Sequence, residues 1–143
     1  RLVDRLSIRL GDRSIGRPSI RLVHAPERAN RWTKAPATAG EAPLPQDGVV
    51  RRPLTLFRIA QPVNATSPLP DGPPKQFTWR HVRHDVVRVE GPERIMPDWM
   101  RAPPSRTRDY YRVEDRNGHR FWLYCEGAFE GKAPRWYLHG LFA

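Results

Sequence analysis

The sequence predicts a mainly β protein. The expected architecture is a small antiparallel sheet or partial barrel of five to six strands, preceded by a Pro-rich linker and a short α/β segment. Three observations carry this expectation. Nine of the 14 aromatic residues fall between residues 106 and 143, in runs dense in strand formers. Asn117-Gly118 sits between two of those runs, a strong short-range hairpin signal. The 143 residues also include 16 prolines, far above the ordinary share of about 5%, so part of the chain is connector.

The elements follow in order. Leu2, Val3, Leu6 and Leu10 share one helical face, and Gly11 is placed to cap the helix. Ser14 to Leu22 reads as a short strand interrupted by Pro18. Residues 33–53 are rich in Pro, Ala, Gly and Thr and nearly free of large apolar groups, a linker composition. A strand is expected over Pro53-Leu54-Thr55-Leu56-Phe57-Arg58-Ile59, then a loop from Ser67 to Pro74. Gln76 to Glu90 is strand-like, with a phase slip that predicts a bulge or tight bend near Arg83-His84. Gly91-Pro92 is expected to end it. Pro97 to Met100 suggests a helical turn, and Pro103-Pro104 a loop.

In the hairpin, a two-residue Asn117-Gly118 turn opposes Asp115 to Arg120, Val113 to Trp122 and Tyr111 to Tyr124. A three-residue bulged turn would shift this register. One face then carries a charge pair at its tip and an aromatic ladder behind it. The opposite face is half apolar, so both faces are candidates for cover. Arg135 to Phe142 supplies the last strand. Its run of large apolar side chains calls for docking into a core or onto a partner.

Net charge is +10, unevenly placed: residues 1–58 carry 12 basic against 5 acidic side chains, and residues 106–143 carry 7 against 5. The basic start, with Arg5, Arg9, Arg13, Arg17 and Arg21 at a regular spacing, is a candidate for contact with DNA backbone phosphates. The aromatic segment is a candidate for protein contact, with Trp99, Trp136 and Phe142 as anchors. A second binding mode would stack single-stranded bases on Tyr111, Trp122 and Tyr124. No apolar run approaches the length of a membrane span. The lone Cys125 cannot form an internal disulfide, fits a reducing cytosol and reads as a small buried hydrophobe. The first residues, without an initiator Met or a signal pattern, read as a cut from a longer chain.

Catalytic constellations are scarce. His81, His84 and Asp85 form an H-x-x-H-D cluster, but a spacing of three sends the two imidazoles to opposite faces of a regular strand. Glu114 and Asp115 are strand neighbours and also point apart. There is no G-x-S-x-G, no phosphate-cradling Gly loop and no CxxC. The expectation is a non-enzyme without cofactor or metal. Pro53-Leu54-Thr55-Leu56-Phe57 is similar to the bacterial sliding-clamp peptide, Gln-Leu-(Ser/Asp)-Leu-Phe. Leu54, Leu56 and Phe57 would be its apolar anchors, although Pro53 stands where the Gln amide would bond.

Taken in order, the blocks LVDRLSIRLG, HAPERA, RPLTLF, FTWRHVRHDVVRVEGPERI, TRDYYRVEDRNGHRFWLYCEG and RWYLHGLFA resemble the C-terminal region of the ImuB family. These are Y-family DNA polymerase homologues of the bacterial mutagenesis cassette. The resemblance implies three parts. Residues 1–31 would be the tail of a little-finger-like DNA-binding domain, 32–52 a linker, and 53–143 a C-terminal β interaction module. It implies an adaptor without a working polymerase site, acting in error-prone translesion synthesis during the DNA damage response. The implied partners are a RecA-like accessory protein (ImuA) and a DnaE-type error-prone polymerase, with the sliding clamp as a third candidate and DNA held by the basic start. It implies a cytoplasmic, nucleoid-associated location.

Overall fold

The computed structural model describes residues 2–11, 13–21, 23–34, 52–69, 72–97, 106–127 and 133–143. The chain divides into two compact units, Arg1–Val50 and Arg51–Ala143.

The first unit holds helix α1 (Leu2–Leu10), strand β1 (Gly16–Ile20), a 3-10 turn (Pro26–Arg28) and strand β2 (Asn30–Lys34). Gly11, at φ 85°, returns its N–H to the Ser7 carbonyl at 2.9 Å and ends α1. Strands β1 and β2 form a two-stranded antiparallel sheet. Pro18 does not interrupt β1: it lies within the strand, opposite Trp32. A two-stranded sheet has an outer edge on each strand, where a missing N–H costs no ladder bond. The stretch read as linker begins inside β2, and its remainder from 35 to 51 falls outside the described residues.

The second unit is a six-stranded antiparallel barrel that closes on itself, in the order β3 (Thr55–Thr66), β4 (Gln76–Trp79), β5 (Val82–Ile95), β6 (Arg108–Asp115), β7 (Arg120–Glu126) and β8 (Arg135–Leu141). The mainly β expectation holds, and the sheet is a closed barrel rather than a partial one. Closure comes from β8, which pairs with β7 on one side and β3 on the other. Of the loop expected from Ser67 to Pro74, the described residues 67–69 and 72–74 are neither helix nor strand. The helical turn and loop expected over 97–104 fall, beyond Pro97, outside the described residues.

Three local expectations need correction. First, residues 76–90 are not one bent strand. The chain reverses at Arg80-His81, both at positive φ (50° and 66°), which separates β4 from β5. Second, Gly91-Pro92 does not end the strand. The β5–β6 register steps between Val86 and Arg88 and again between Glu90 and Glu93, so a bulge takes in the proline and β5 runs to Ile95.

Third, the β6–β7 turn has three residues. Gly118 N–H donates to the Asp115 carbonyl at 3.0 Å, Asp115 N–H donates to the His119 carbonyl at 3.0 Å, and Gly118 has φ 81°. This is a type I turn followed by a left-handed bulge residue, a position where glycine has no Cβ to strain. The register is therefore shifted by one from the two-residue expectation. Glu114 opposes Arg120, Val113 opposes Phe121, Tyr111 opposes Leu123 and Tyr110 opposes Tyr124. The Asp115 carboxylate selects this turn by accepting the Asn117 and His119 backbone N–H groups at 2.9 and 3.0 Å.

That shift sorts the side chains. Val63, Phe77, Tyr111, Val113, Phe121, Leu123, Cys125, Trp136 and Leu138 form the main core. The alternate residues of β6 and β7 build a second core: Tyr110, Trp122 and Tyr124, covered by Leu56, Ala60, Ile95, Tyr137 and Phe142. Both faces of the β6–β7 hairpin are thus packed. The apolar and aromatic density noted in the sequence is spent on two cores rather than one.

Candidate functional site

The second core is an aromatic stack roofed by arginines. Tyr110 and Trp122 lie 4.2 Å apart between ring centroids, and Tyr124 and Tyr137 lie 5.0 Å apart. Buried His139 places its Nδ1 2.8 Å from the Tyr110 hydroxyl. Arg52, Arg108 and Arg112 cover Trp122, Tyr124 and Phe142 at 4.8, 4.9 and 4.9 Å. Each of these arginines also meets a carboxylate: Glu93, Glu126 and Glu90 respectively. Burial pushes the Tyr124 hydroxyl well above its ordinary value; nearby Arg108 only partly opposes this. The site therefore holds a neutral phenol under paired guanidinium groups.

This arrangement decides the base-stacking expectation. Tyr111, Trp122 and Tyr124 are 3%, 3% and 4% exposed, so none presents a ring face to a nucleobase. Trp136, at 5%, lies in the main core, 5.6 Å from Tyr111. Phe142 is half-buried on the second core beneath Arg112. Trp99 falls outside the described residues.

The Leu54-Thr55-Leu56-Phe57 segment enters the barrel at the start of β3. Leu56 packs on the second core and Phe57 on the first, while Leu54 is 85% exposed. Thr55 and Leu56 pair with Leu141 and Gly140 of β8. The clamp-like anchors therefore face different packing partners, with two of the three engaged by the barrel itself.

A buried polar group lies beneath the β6–β7 turn. Asp115 is 1% exposed, and its Oδ2 lies 2.8 Å from His84 Nδ1 and 3.2 Å from His119 Nδ1. Burial alone would raise the Asp115 pKa. The hydrogen bonds from His84, from the His119 backbone and side chain, and from Asn117 outweigh it and hold the carboxyl below its ordinary value. His84 stacks on Phe77 at 4.8 Å. The expected Asp115–Arg120 pair does not form, because the register shift turns Asp115 inward. His81 sits at the β4–β5 turn, exposed, while His84 is buried, and Asp85 pairs with Arg83 and Arg116. Among the described residues no group of three or more His, Cys, Asp or Glu is gathered to hold a metal ion.

In the first unit Arg5, Arg9, Arg13, Arg17 and Arg21 are all exposed. Arg5 and Arg9 are one turn apart on α1, and Arg17 is on β1. Among the described residues no helix is long and apolar enough to cross a membrane.

The chain is 40% identical over 154 residues to Protein ImuB of Caulobacter vibrioides strain NA1000 / CB15N, and equally to Protein ImuB of strain ATCC 19089 / CIP 103742 / CB 15. Each alignment covers 99% of this chain and 32% of the relative, so the chain spans about a third of the length of the curated relatives it matches. The resemblance to ImuB read from the sequence blocks is thus found along the whole chain. No solved structure matches. The family model described as Domain of unknown function (DUF6504) matches residues 50–142. These residues take in all six barrel strands, and the chain belongs to that family.

Proposed function

We propose that the barrel is a non-catalytic adaptor module that recruits protein partners in error-prone translesion synthesis. The observation that carries this reading is the similarity to ImuB along the whole chain, joined to a barrel whose aromatic density is consumed by its own two cores. The partners proposed are a RecA-like accessory protein and a DnaE-type polymerase. Because Trp136 is core and Phe142 lies under Arg112, the contact side chains are sought elsewhere. Ile59 and Val87 are 81% and 59% exposed, and both sit where the β-ladder register breaks. Single exposed apolar residues are ordinary. Two at irregularities of long strands are places where a partner can be met without disturbing the ladder.

The test is capture of purified ImuA and of the DnaE-type polymerase by the chain carrying Ile59→Asp and Val87→Asp. The expected result is loss of at least one partner with unchanged thermal unfolding. Undiminished capture of both would sink the assignment. Clamp binding through Leu54, Leu56 and Phe57 would require β3 to leave β8, and it is not part of the proposal.

The first unit is proposed to contact DNA backbone through Arg5, Arg9, Arg13, Arg17 and Arg21. Their exposure supports it. Replacing all five with Ala should weaken DNA binding and flatten its salt dependence by up to about 3.5 log units per log unit of salt, at roughly 0.7 per single-strand phosphate. An unaltered slope counts against it.

A further inference from the structure

The ladder that closes the barrel stops short of the end of β3. Gln61, Pro62 and Val63 face Leu138, Tyr137 and Trp136 of β8, and the pairing ends there. Strand β3 continues to Thr66, paired over residues 64–66 with β4 alone. Two residues further on, the same register would set Ala65 against Pro134, which has no N–H to give. The Thr66 carbonyl accepts the Lys75 N–H at 2.9 Å on the β4 side. Backbone groups alternate between the two edges of a strand, so those of Ala65 and Ser67 point to the edge that β8 has left. A Cβ at Gly127 would stand 4.0 Å from the Ala133 carbonyl, so the chain ahead of β8 keeps to β7 instead.

This open edge is bordered by space. Openings of about 340 and 520 Å³ adjoin it and share Ala65, Pro134 and Trp136 as walls. The β3 side chains beside the larger one are small: Ala65, packed at the margin of the main core, and Ser67. The Ser67 hydroxyl oxygen is buried and has no hydrogen-bond partner. Three features thus coincide: outward backbone groups at a two-residue repeat of about 6.8 Å, an unmet hydroxyl, and room for a side chain against Trp136. An extended polypeptide presents amide groups at that repeat and side chains between them. Arg135 stands exposed at the rim and makes no ion pair among the described residues; Glu126, across from it on β7, is engaged by Arg108. A carboxylate on the incoming segment would answer it. A second copy of the chain, itself at net charge +10, would bring like charge.

We propose that the edge of β3 at Ala65 and Ser67 takes an extended segment of a partner protein as an added strand. An apolar side chain of that segment enters the opening beside Trp136, and a carboxylate meets Arg135. The segment also supplies the N–H that Pro134 lacks. The site goes beyond the adaptor reading, which looks to Ile59 and Val87, and neither requires the other.

The experiment uses the full chain. Amide hydrogen exchange comes first: Ala65 and Ser67 should exchange freely, while Asn64 and Thr66, turned to β4, are protected. Slow exchange at Ala65 would mean that the edge is already covered, and it overturns the proposal. The immobilised chain then selects from a display library of short random peptides. Enriched peptides should alternate apolar and polar residues and carry Asp or Glu. A selected peptide, synthesised with a fluorophore, should protect the Ala65 and Ser67 amides when it binds. Ala65→Pro removes the outward N–H and leaves the β4 ladder whole. Tm should hold while peptide affinity falls at least about tenfold, the worth of one or two backbone hydrogen bonds. Arg135→Gln should weaken binding about threefold. No enrichment, equal affinity for the Ala65→Pro chain, or binding that leaves exchange at Ala65 unchanged each overturns the proposal. Should Ala65→Pro unfold the barrel, exchange on the unmutated chain decides alone. A concentration-dependent dimer that protects Ala65 would assign the edge to a second copy, which also overturns it. If Ile59→Asp with Val87→Asp leaves partner capture intact while the peptide still binds, the contacts of the adaptor reading fail and this site stands.

Discussion

Asp115 shows how much one side chain decides here. It accepts two backbone N–H groups of the turn and lies against two imidazoles while 1% exposed. Asp115→Asn keeps the shape but replaces one acceptor oxygen with a donor. We expect a loss of about 1.5–3 kcal/mol by urea unfolding at pH 7, the range for hydrogen bonds to charged groups. The pH dependence has a definite sign. The folded-state pKa is held below the ordinary 3.8, so this carboxylate stabilises the fold above that value. The contribution fades as pH falls through the folded pKa, and the Asp115→Asn deficit should shrink in parallel. A deficit independent of pH would contradict the assignment. Tyr124 has the opposite sense: its raised pKa favours the protonated phenol, and that stabilisation is lost only on strongly alkaline titration. The sequence showed that Cys125 would be a buried strand residue. It could not show that Trp136 is core, because an aromatic strand residue reads alike whether it faces a barrel interior or a partner. Trp136→Ala should therefore cost about 3–5 kcal/mol, measured by thermal or urea unfolding.

Among the elements, legibility followed local turn chemistry. Asn117-Gly118 announced its hairpin, but not the three-residue turn, because the deciding ligand is the Asp115 side chain rather than the dipeptide. The β4–β5 reversal was read only as a phase slip, since Arg80-His81 carries none of the residues that normally mark a tight turn. Gly91-Pro92 looked like a strand end, and a bulge absorbed it. The RPLTLF block gave a strand, though not one of 12 residues with a register break before Gln61. The meeting of β3 and β8 is close enough to test directly. A Cβ at Gly140 would stand 2.5 Å from Pro53 Cγ and 2.7 Å from the Thr55 carbonyl. Gly140→Ala should push β3 from β8 and lower Tm by more than Gly118→Ala does, because Gly118 stands in open space and meets only the cost of its positive φ, about 1–2 kcal/mol.

For the whole molecule, strand count and fold class were visible in the alternating runs. Closure was not, because it depends on pairing between strands at opposite ends of the unit. The second core was half visible, in the reading of both hairpin faces as candidates for cover. The two compact units lead to a separate prediction. A chain beginning at residue 51 should unfold cooperatively, with the near-UV signal of its packed tryptophans retained. Loss of that signal would mean that the barrel depends on the first 50 residues.

The ladder that joins Thr55 to Leu141 also has a consequence in time. Its partners are separated by nearly the full length of the barrel sequence, so loop-closure entropy is paid before this contact returns anything. The β6–β7 hairpin can form early from neighbouring residues, and the seam between first and last strands then joins late. A substitution in the seam such as Gly140→Ala should therefore act mainly on the unfolding rate, and one in the hairpin such as Val113→Ala should slow folding. The same seam would then set how long the barrel stays shut once made: its lifetime would be governed by the last contact to form.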